Sequence, residues 1–133
     1  MVSYSYIQNR IHELGSKGGI PLNYLKVFNA SPQDGTPHVE ITDQTYDYVI
    51  QERGFEFSRS QTYDLNELLF WIVDSASSRY AFDYEVDHRI INQDARRLAF
   101  SIKNDIMEKI DPTWAEMTRD YIEKTLANAP YVD

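Results

Sequence analysis

The sequence predicts an α+β fold: a small antiparallel sheet preceded by one helix and followed by a bundle of three or more helices. Three observations carry that reading. Between residues 38 and 58 apolar side chains recur at every second position, the period of a half-buried strand. From Asp64 onward they recur every three to four positions, the period of an amphipathic helix. The two patterns are segregated along the chain rather than alternating, which separates α+β from α/β.

Taken in order, residues 4–15 read as the first helix, with Ile7, Ile11 and Leu14 on one face. The run GSKGG ends it, because glycine relieves the left-handed conformation at a helix end. Residues 16–37 hold three of the five glycines and three of the five prolines and read as a loop, with Leu25–Phe28 as a short strand within it. In HVEIT, Val39 and Ile41 point opposite to His38 and Glu40. After a turn at Asp43-Gln44, Tyr46, Tyr48 and Ile50 share a face, and Phe55 and Phe57 repeat the pattern. The short links make these strands antiparallel, with Gly54 expected at positive φ in the second turn.

No glycine or proline occurs from Phe55 to Asp111. Leu65, Leu68, Leu69, Ile72 and Ala76 form a helical stripe that Tyr80 and Tyr84 extend. Asp64 is its expected cap, with Glu67 placed as in a capping box. Asn92 is the expected cap of the next helix, with Asp94 in its first turn and Ala95, Leu98, Ala99, Ile102, Ile106 and Ile110 facing inward. Asp111 and Pro112 then stop one helix and start another, along which Trp114, Met117, Tyr121, Ile122 and Leu126 line one side. A length of 133 residues suits a single domain, with 1–36 as N-terminal helix and loop and 37–133 as the main region.

Composition removes several function classes. Thirteen Lys and Arg against 21 Asp and Glu give a net charge of −8, carried mostly by residues 64–133. That opposes general nucleic-acid binding, which needs cations to displace phosphate counterions. It permits a basic protein partner. With no cysteine, disulfides, zinc thiolates and cysteine nucleophiles are excluded. The first residues lack the basic-then-apolar pattern of a signal peptide, and no apolar run is long enough to span a membrane, so a cytoplasmic protein is expected.

The densest chemistry lies in YEVDHRIINQDARRLAF, residues 84–100. Glu85 and His88 have the three-residue spacing of a carboxylate-bridged metal helix, but such a bundle needs that motif twice and here it occurs once. His12 and His38 fall on separate elements. Glu85 with Arg89 and Asp94 with Arg97 are spaced as helical ion pairs, each contributing about 0.3–0.5 kcal/mol when exposed. Glu85, His88 and Arg96 could instead form an acid–base site. Nothing in their spacing selects that over a charged brace between helices. Gly15, Gly18 and Gly19 lack the lysine and hydroxyl positions of a phosphate loop, and no serine-hydrolase elbow is present. No catalytic, cofactor-binding or metal residue is therefore expected. The ten tyrosines suit core edges or a binding surface. Trp71 falls just off the Leu65–Leu69–Ile72 stripe and reads as packing.

The segments PHVEI, YDYVIQERGFEFSR, TYDLNELLFWIVDSASS, DYEVDHRIINQDARRLAF and DPTWAEMTRDYIEKTL, in that order, resemble the immunity protein 63 family of bacterial polymorphic toxin systems. The resemblance runs from about residue 37 to the C-terminus. It is most specific at Glu52-Arg53-Gly54, at Trp71, and at Glu85, His88, Arg89, Asp94, Arg96 and Arg97. It implies binding without catalysis: a cytoplasmic protein that blocks the C-terminal domain of a cognate toxin, a basic nuclease being one candidate, with no cofactor and no direct contact to nucleic acid or membrane. Because immunity surfaces must discriminate among toxins, it directs attention to less family-like positions, namely Tyr24, Lys26 and Phe28 in the loop and Asp83 and Asp87. The competing classes are a small enzyme using Glu85, His88 and Arg96, and a housekeeping interaction adaptor.

Overall fold

The computed structural model describes residues 1–133. Its elements are α1 (Tyr4–Lys17), a 3-10 turn (Leu22–Tyr24), β1 (His38–Ile41), β2 (Tyr46–Glu52), β3 (Phe55–Thr62), α2 (Leu65–Asp87), α3 (Ala95–Ile110) and α4 (Pro112–Asn128). The three strands form one antiparallel sheet in the order β1-β2-β3. The expected α+β architecture holds, with the change of period at Asp64 marking the passage from sheet to helices.

Register fixes which side chains share a sheet face. Val39 opposes Tyr48 and Ile41 opposes Tyr46, so these four share the face that meets α2. Tyr48 stacks on Trp71 at 6.5 Å, and Val39 and Tyr46 join the main core. That core is built from Ile7 and Ile11 of α1, Leu25 and Val27 of the loop, Leu68 to Ala76 of α2, Ile106 to Ile110 of α3, and Trp114 and Ala115 of α4. Trp114 meets Phe70 edge to face at 5.5 Å.

Several elements differ from expectation for identifiable reasons. Phe55 and Phe57 are exposed. The register shifts between Ile50 and Gln51, which places an extra β3 residue at Phe57 and breaks the alternation. The two rings pack edge to face on each other at 4.8 Å instead of on the helices. Residues Leu25–Phe28 form no strand; Leu25 closes the 3-10 turn and Phe28 makes one parallel bridge to His38. Their backbone is satisfied from α1: Gln8 donates to the Leu25 carbonyl at 2.8 Å and accepts from the Val27 amide at 2.7 Å, and the Tyr4 hydroxyl donates to the Val27 carbonyl.

Caps differ in detail. Asp64 accepts from the Asn66 amide at 2.9 Å, but its own amide donates to the Thr62 hydroxyl at 3.0 Å, the bond a capping box would have given to Glu67. Asp94, not Asn92, caps α3, accepting from the Arg96 amide; Asn92 instead turns the chain at φ 64°. Asp111 caps α4 through the amides of Thr113 and Trp114, with Pro112 first in the helix as expected. On α4 the buried face is Trp114, Ala115, Thr118 and Ile122, leaving Met117 and Tyr121 exposed. The β2–β3 turn has Arg53 and Gly54 both at positive φ, 51° and 78°.

Gly15 lies within α1, buried against the loop, where an added Cβ would sit 2.4–3.0 Å from three side-chain atoms of Leu25. Leu25 is itself enclosed and has little room to yield. A Gly15→Ala protein should therefore be less stable. Overpacking costs about 1–3 kcal/mol, and the helix-propensity gain of ~1 kcal/mol offsets only part of it. Equilibrium urea unfolding checks this; a stabilised variant would show that the α1–loop contact is looser than described.

Candidate functional site

The loop after α1 and the C-terminal half of α2 bring the sequence-selected surface residues together. Leu25 and Val27 turn inward, so Lys26 turns outward. The Tyr24 hydroxyl donates to Asp83 Oδ2 at 2.7 Å, and its ring meets Tyr80 edge to face at 5.4 Å. Arg79 donates to the Tyr24 carbonyl at 3.0 Å, with its guanidinium 5.6 Å from the Tyr24 ring. The Lys26 amine sits 4.8 Å from the centre of the Phe28 ring. Tyr24, Lys26, Phe28, Pro37, Tyr48 and Arg79 border one shallow groove between loop, β1 and α2. Asp87 is one turn beyond Asp83 and exposed. The hydrogen bond to Asp83, then burial and the Asp83 charge, with Asp87 adding to them, push the Tyr24 hydroxyl above its ordinary pKa. Burial pushes the Tyr48 hydroxyl up to about 12.

The charged run at residues 84–97 divides into two braces. In the first, Glu85 is buried and takes two bonds from exposed Arg89, Nε to Oε1 at 2.9 Å and Nη2 to Oε2 at 3.2 Å. His88 closes α2: its amide donates to the Tyr84 and Glu85 carbonyls, its Nδ1 lies 3.0 Å from the Tyr84 carbonyl, and its ring stacks on Tyr84 at 3.8 Å. In the second brace, Arg96 pairs with Asp94 and donates to the carbonyls of Ala129 and Pro130 at 2.8 and 2.9 Å. Asp94 Oδ2 accepts from the Val132 amide at 2.9 Å. Arg97 donates to both Asp133 carboxylate oxygens, Nε to Oδ1 and Nη2 to Oδ2, each at 2.9 Å, and lies 4.1 Å over the Tyr131 ring. The expected Asp94–Arg97 pair is thus replaced, because Arg97 reaches the C-terminal segment instead. Glu85, His88 and Arg96 do not converge: each is engaged with a different partner.

The remaining positions that carry the resemblance lie at the β2–β3 turn and on α2. Gln33, at φ 63°, accepts from the Gly54 amide through its side chain at 2.6 Å and from the Arg53 amide through its carbonyl. Asp34 bridges Glu52, so the loop lies along the far end of β2. Trp71 is the packing residue against Tyr48.

Three features were not read from the sequence. The sheet's outer face holds a charge network in which Arg59 bonds Glu40, Asp47 and Glu56. Burial pushes the Asp47 carboxyl up, but hydrogen bonds from Thr45, Gln61 and Arg59 outweigh it and hold the group below its ordinary range. The in-phase polar positions 38, 40, 47, 59 and 61 were the available signal. Lys103 is buried, paired with Asp74 at 2.6 Å and bonded to Ser78; its position on the inward face of α3 gave no warning of charge. Third, the end of α2 exposes Phe82 and Val86, followed by exposed Ile90 and Ile91.

A family model described as immunity protein 63 matches residues 43–124, more than half of the chain. That span includes the sheet beyond β1, all of α2 and α3, and most of α4. No curated protein and no solved structure matches the chain.

The second brace sets an acid limit on the C-terminal segment. Hydrogen bonds from Arg96, then the Val132 and Arg96 amides, hold the Asp94 carboxyl well below the ordinary aspartate value, and Arg97 does the same for Asp133. A depressed folded-state pKa stabilises fully above the unfolded value, here 3.8, and that stabilisation is lost as pH falls through the lower folded value. The protection factor of the Val132 amide, its slowing relative to the intrinsic rate at each pH, should hold down to about pH 4 and fall below it. At neutral pH, Asp94→Ala should speed exchange across 129–133 and lower the melting temperature. Asp94→Asn, which retains a capping oxygen, should lower it less.

Proposed function

The chain belongs to the immunity protein 63 family, and from that membership we propose that it binds and neutralises the C-terminal domain of a cognate bacterial polymorphic toxin. It acts as one domain, in a 1:1 complex in the cytoplasm, by covering the toxin's active site or substrate groove. The observation that carries this reading is the family match across residues 43–124. The geometry agrees with occupancy rather than chemistry, since Glu85, His88 and Arg96 are each committed to bracing. No helix is long and apolar enough to cross a membrane, and a net charge of −8 opposes direct nucleic-acid binding.

The contact face in this proposal is the loop–α2 corner: Tyr24, Lys26, Phe28, Asp83 and Asp87. Neither Asp83 nor Asp87 forms a salt bridge within the chain. Their carboxylates are free to attract a basic domain, as a nuclease would be. Long-range attraction of this kind sets the association rate and is screened beyond ~8–10 Å at physiological salt. Phe28, half-buried beside the groove, offers apolar area for the slow, dissociation-limiting part of the contact.

Binding kinetics against the toxin domain encoded beside this chain's gene test the reading. Asp83→Lys with Asp87→Lys should slow association at low salt by roughly tenfold or more, and the difference should shrink at high salt. Phe28→Ala should mainly hasten dissociation. Absence of binding at micromolar concentration, with the toxin domain folded and cells unprotected on co-expression, would remove the proposal. Binding indifferent to salt and to all three substitutions would remove the corner as its surface.

A further inference from the structure

Alongside the Asp83–Asp87 row, α2 presents an apolar row that the fold does not use. Phe82 is 38% exposed and Val86 62%; past the helix end Ile90 is 50% and Ile91 85% exposed. Phe82 and Val86 are one turn apart on the same helix face. His88 and Arg89 hold the following chain against the helix end through the Tyr84 carbonyl and the Glu85 carboxylate, so Ile90 and Ile91 are presented there rather than on a free loop. None of the four belongs to the main core. Only Phe82 has an aromatic neighbour, Phe100 at 6.1 Å, which seats the row against the start of α3. Exposed apolar groups on the last turns of a helix and in the braced segment that follows it, with charge beside them, have the anatomy of an interface centre and its rim.

The surrounding charges select the occupant. Of the nearby cations, Arg89 is held by Glu85, Arg96 by Asp94 and Arg97 by Asp133, while Arg79 is anchored on the Tyr24 carbonyl. The carboxylates left without a salt bridge beside the row are Asp83 and Asp87. A second copy docked through the same face would place two unpaired acids from each copy at one interface with no free cation to offset them, since a two-fold interface apposes a patch with itself. An anionic membrane surface would meet the same repulsion. A protein face with an apolar centre and basic rim meets none.

We propose that Phe82, Val86, Ile90 and Ile91 are the apolar anchor on which the basic-rimmed face of the toxin domain seats, with Asp83 and Asp87 as the steering edge of the same surface. This rests on the neutralisation reading and adds to it the residues that hold the complex once formed. Steering acids govern encounter; desolvated apolar anchors govern residence. The pair Phe55 and Phe57, also exposed, cover one another and lie on β3, away from the acid row.

The test measures association and dissociation of the adjacent gene's toxin domain with Val86→Ser/Ile91→Ser, with Ile91→Ala alone, and with Phe55→Ser/Phe57→Ser. The substituted positions are solvent-facing, and circular dichroism and melting temperature verify the fold; Ile91→Ala, at the most exposed site, reports even where the double variant is perturbed. The expected result is at least a tenfold loss of affinity in the double variant and a several-fold loss in Ile91→Ala, both through faster dissociation, with the Phe55/Phe57 variant unchanged. Wild-type binding that neither stripe variant alters overturns the anchor and leaves neutralisation standing. Loss of binding confined to the Phe55/Phe57 variant does the same. Failure of the wild type to bind overturns both readings. Concentration-dependent dimers or flotation with anionic vesicles, abolished by Val86→Ser/Ile91→Ser, would assign the row to another occupant and overturn the anchor.

Discussion

The molecule depends on enclosing α2. At ~1.5 Å per residue its 23 residues reach roughly 34 Å, and through its first half apolar side chains occupy more than one face. Such a helix cannot stand at a surface; it must be surrounded. The sheet takes one side through Tyr46 and Tyr48, α1 and the loop take another through Ile7, Ile11 and Leu25, and α3 with α4 take the rest through Ile106, Met107 and Trp114. The α2 members of the main core end at Ala76, with Tyr80 packed against it. Beyond it the helix continues, held by the Tyr24–Asp83 bond, the Glu85–Arg89 pair and the His88 stack. The polar signature thus takes over where the apolar core ends, and rigidity extends to the helix terminus without burying its outer face.

This division explains what could be read from the sequence. Element type was legible wherever one face meets a core and the other meets water. The alternation in 39–50 and the three-to-four spacing after Asp64 are consequences of that contrast. Legibility failed where a long-range partner supplied what local sequence did not. Phe55 and Phe57 kept the strand period, yet the register shift leaves Phe57 unpaired and Phe55 pairs with Glu52 beside the β2–β3 turn, so both stay exposed. Leu25–Phe28 kept the alternation of a strand, but side chains of α1 took the place of a neighbouring strand. Asn92 and Asp94 are both good capping residues; the choice fell to Asp94 because its second oxygen also accepts the Val132 amide, a contact from 38 residues away.

The candidate site was legible to a similar degree. Placing Tyr24, Lys26, Phe28, Asp83 and Asp87 on one corner required only that the loop return along α2, and Tyr24 does bond Asp83 across 59 positions. The apolar row beside them was hidden because Phe82 and Val86 sit among apolar residues on more than one face of α2, and sequence alone does not say which face stays uncovered. Only the end of the enclosing core distinguishes them. The Arg97–Asp133 pair was equally invisible, because helical spacing offers Asp94 as the nearer partner and says nothing of a returning C-terminal segment.

The two braces also bear on how a binding surface is presented. A flexible helix end would lose conformational entropy on docking and give back part of the affinity its apolar groups supply. Here Glu85 is buried with its carboxylate satisfied by both Arg89 donors, and His88 takes up the carbonyls at the end of the helix. Removing Arg89 would leave a buried charge without its partner, which costs more than any exposed ion pair contributes. The brace therefore acts on Val86, Ile90 and Ile91 without touching a partner, by fixing where they stand. On the proposed reading, specificity needs only the exposed row and its acidic edge to change, and neither change disturbs the bonds that Glu85, His88 and Arg89 make.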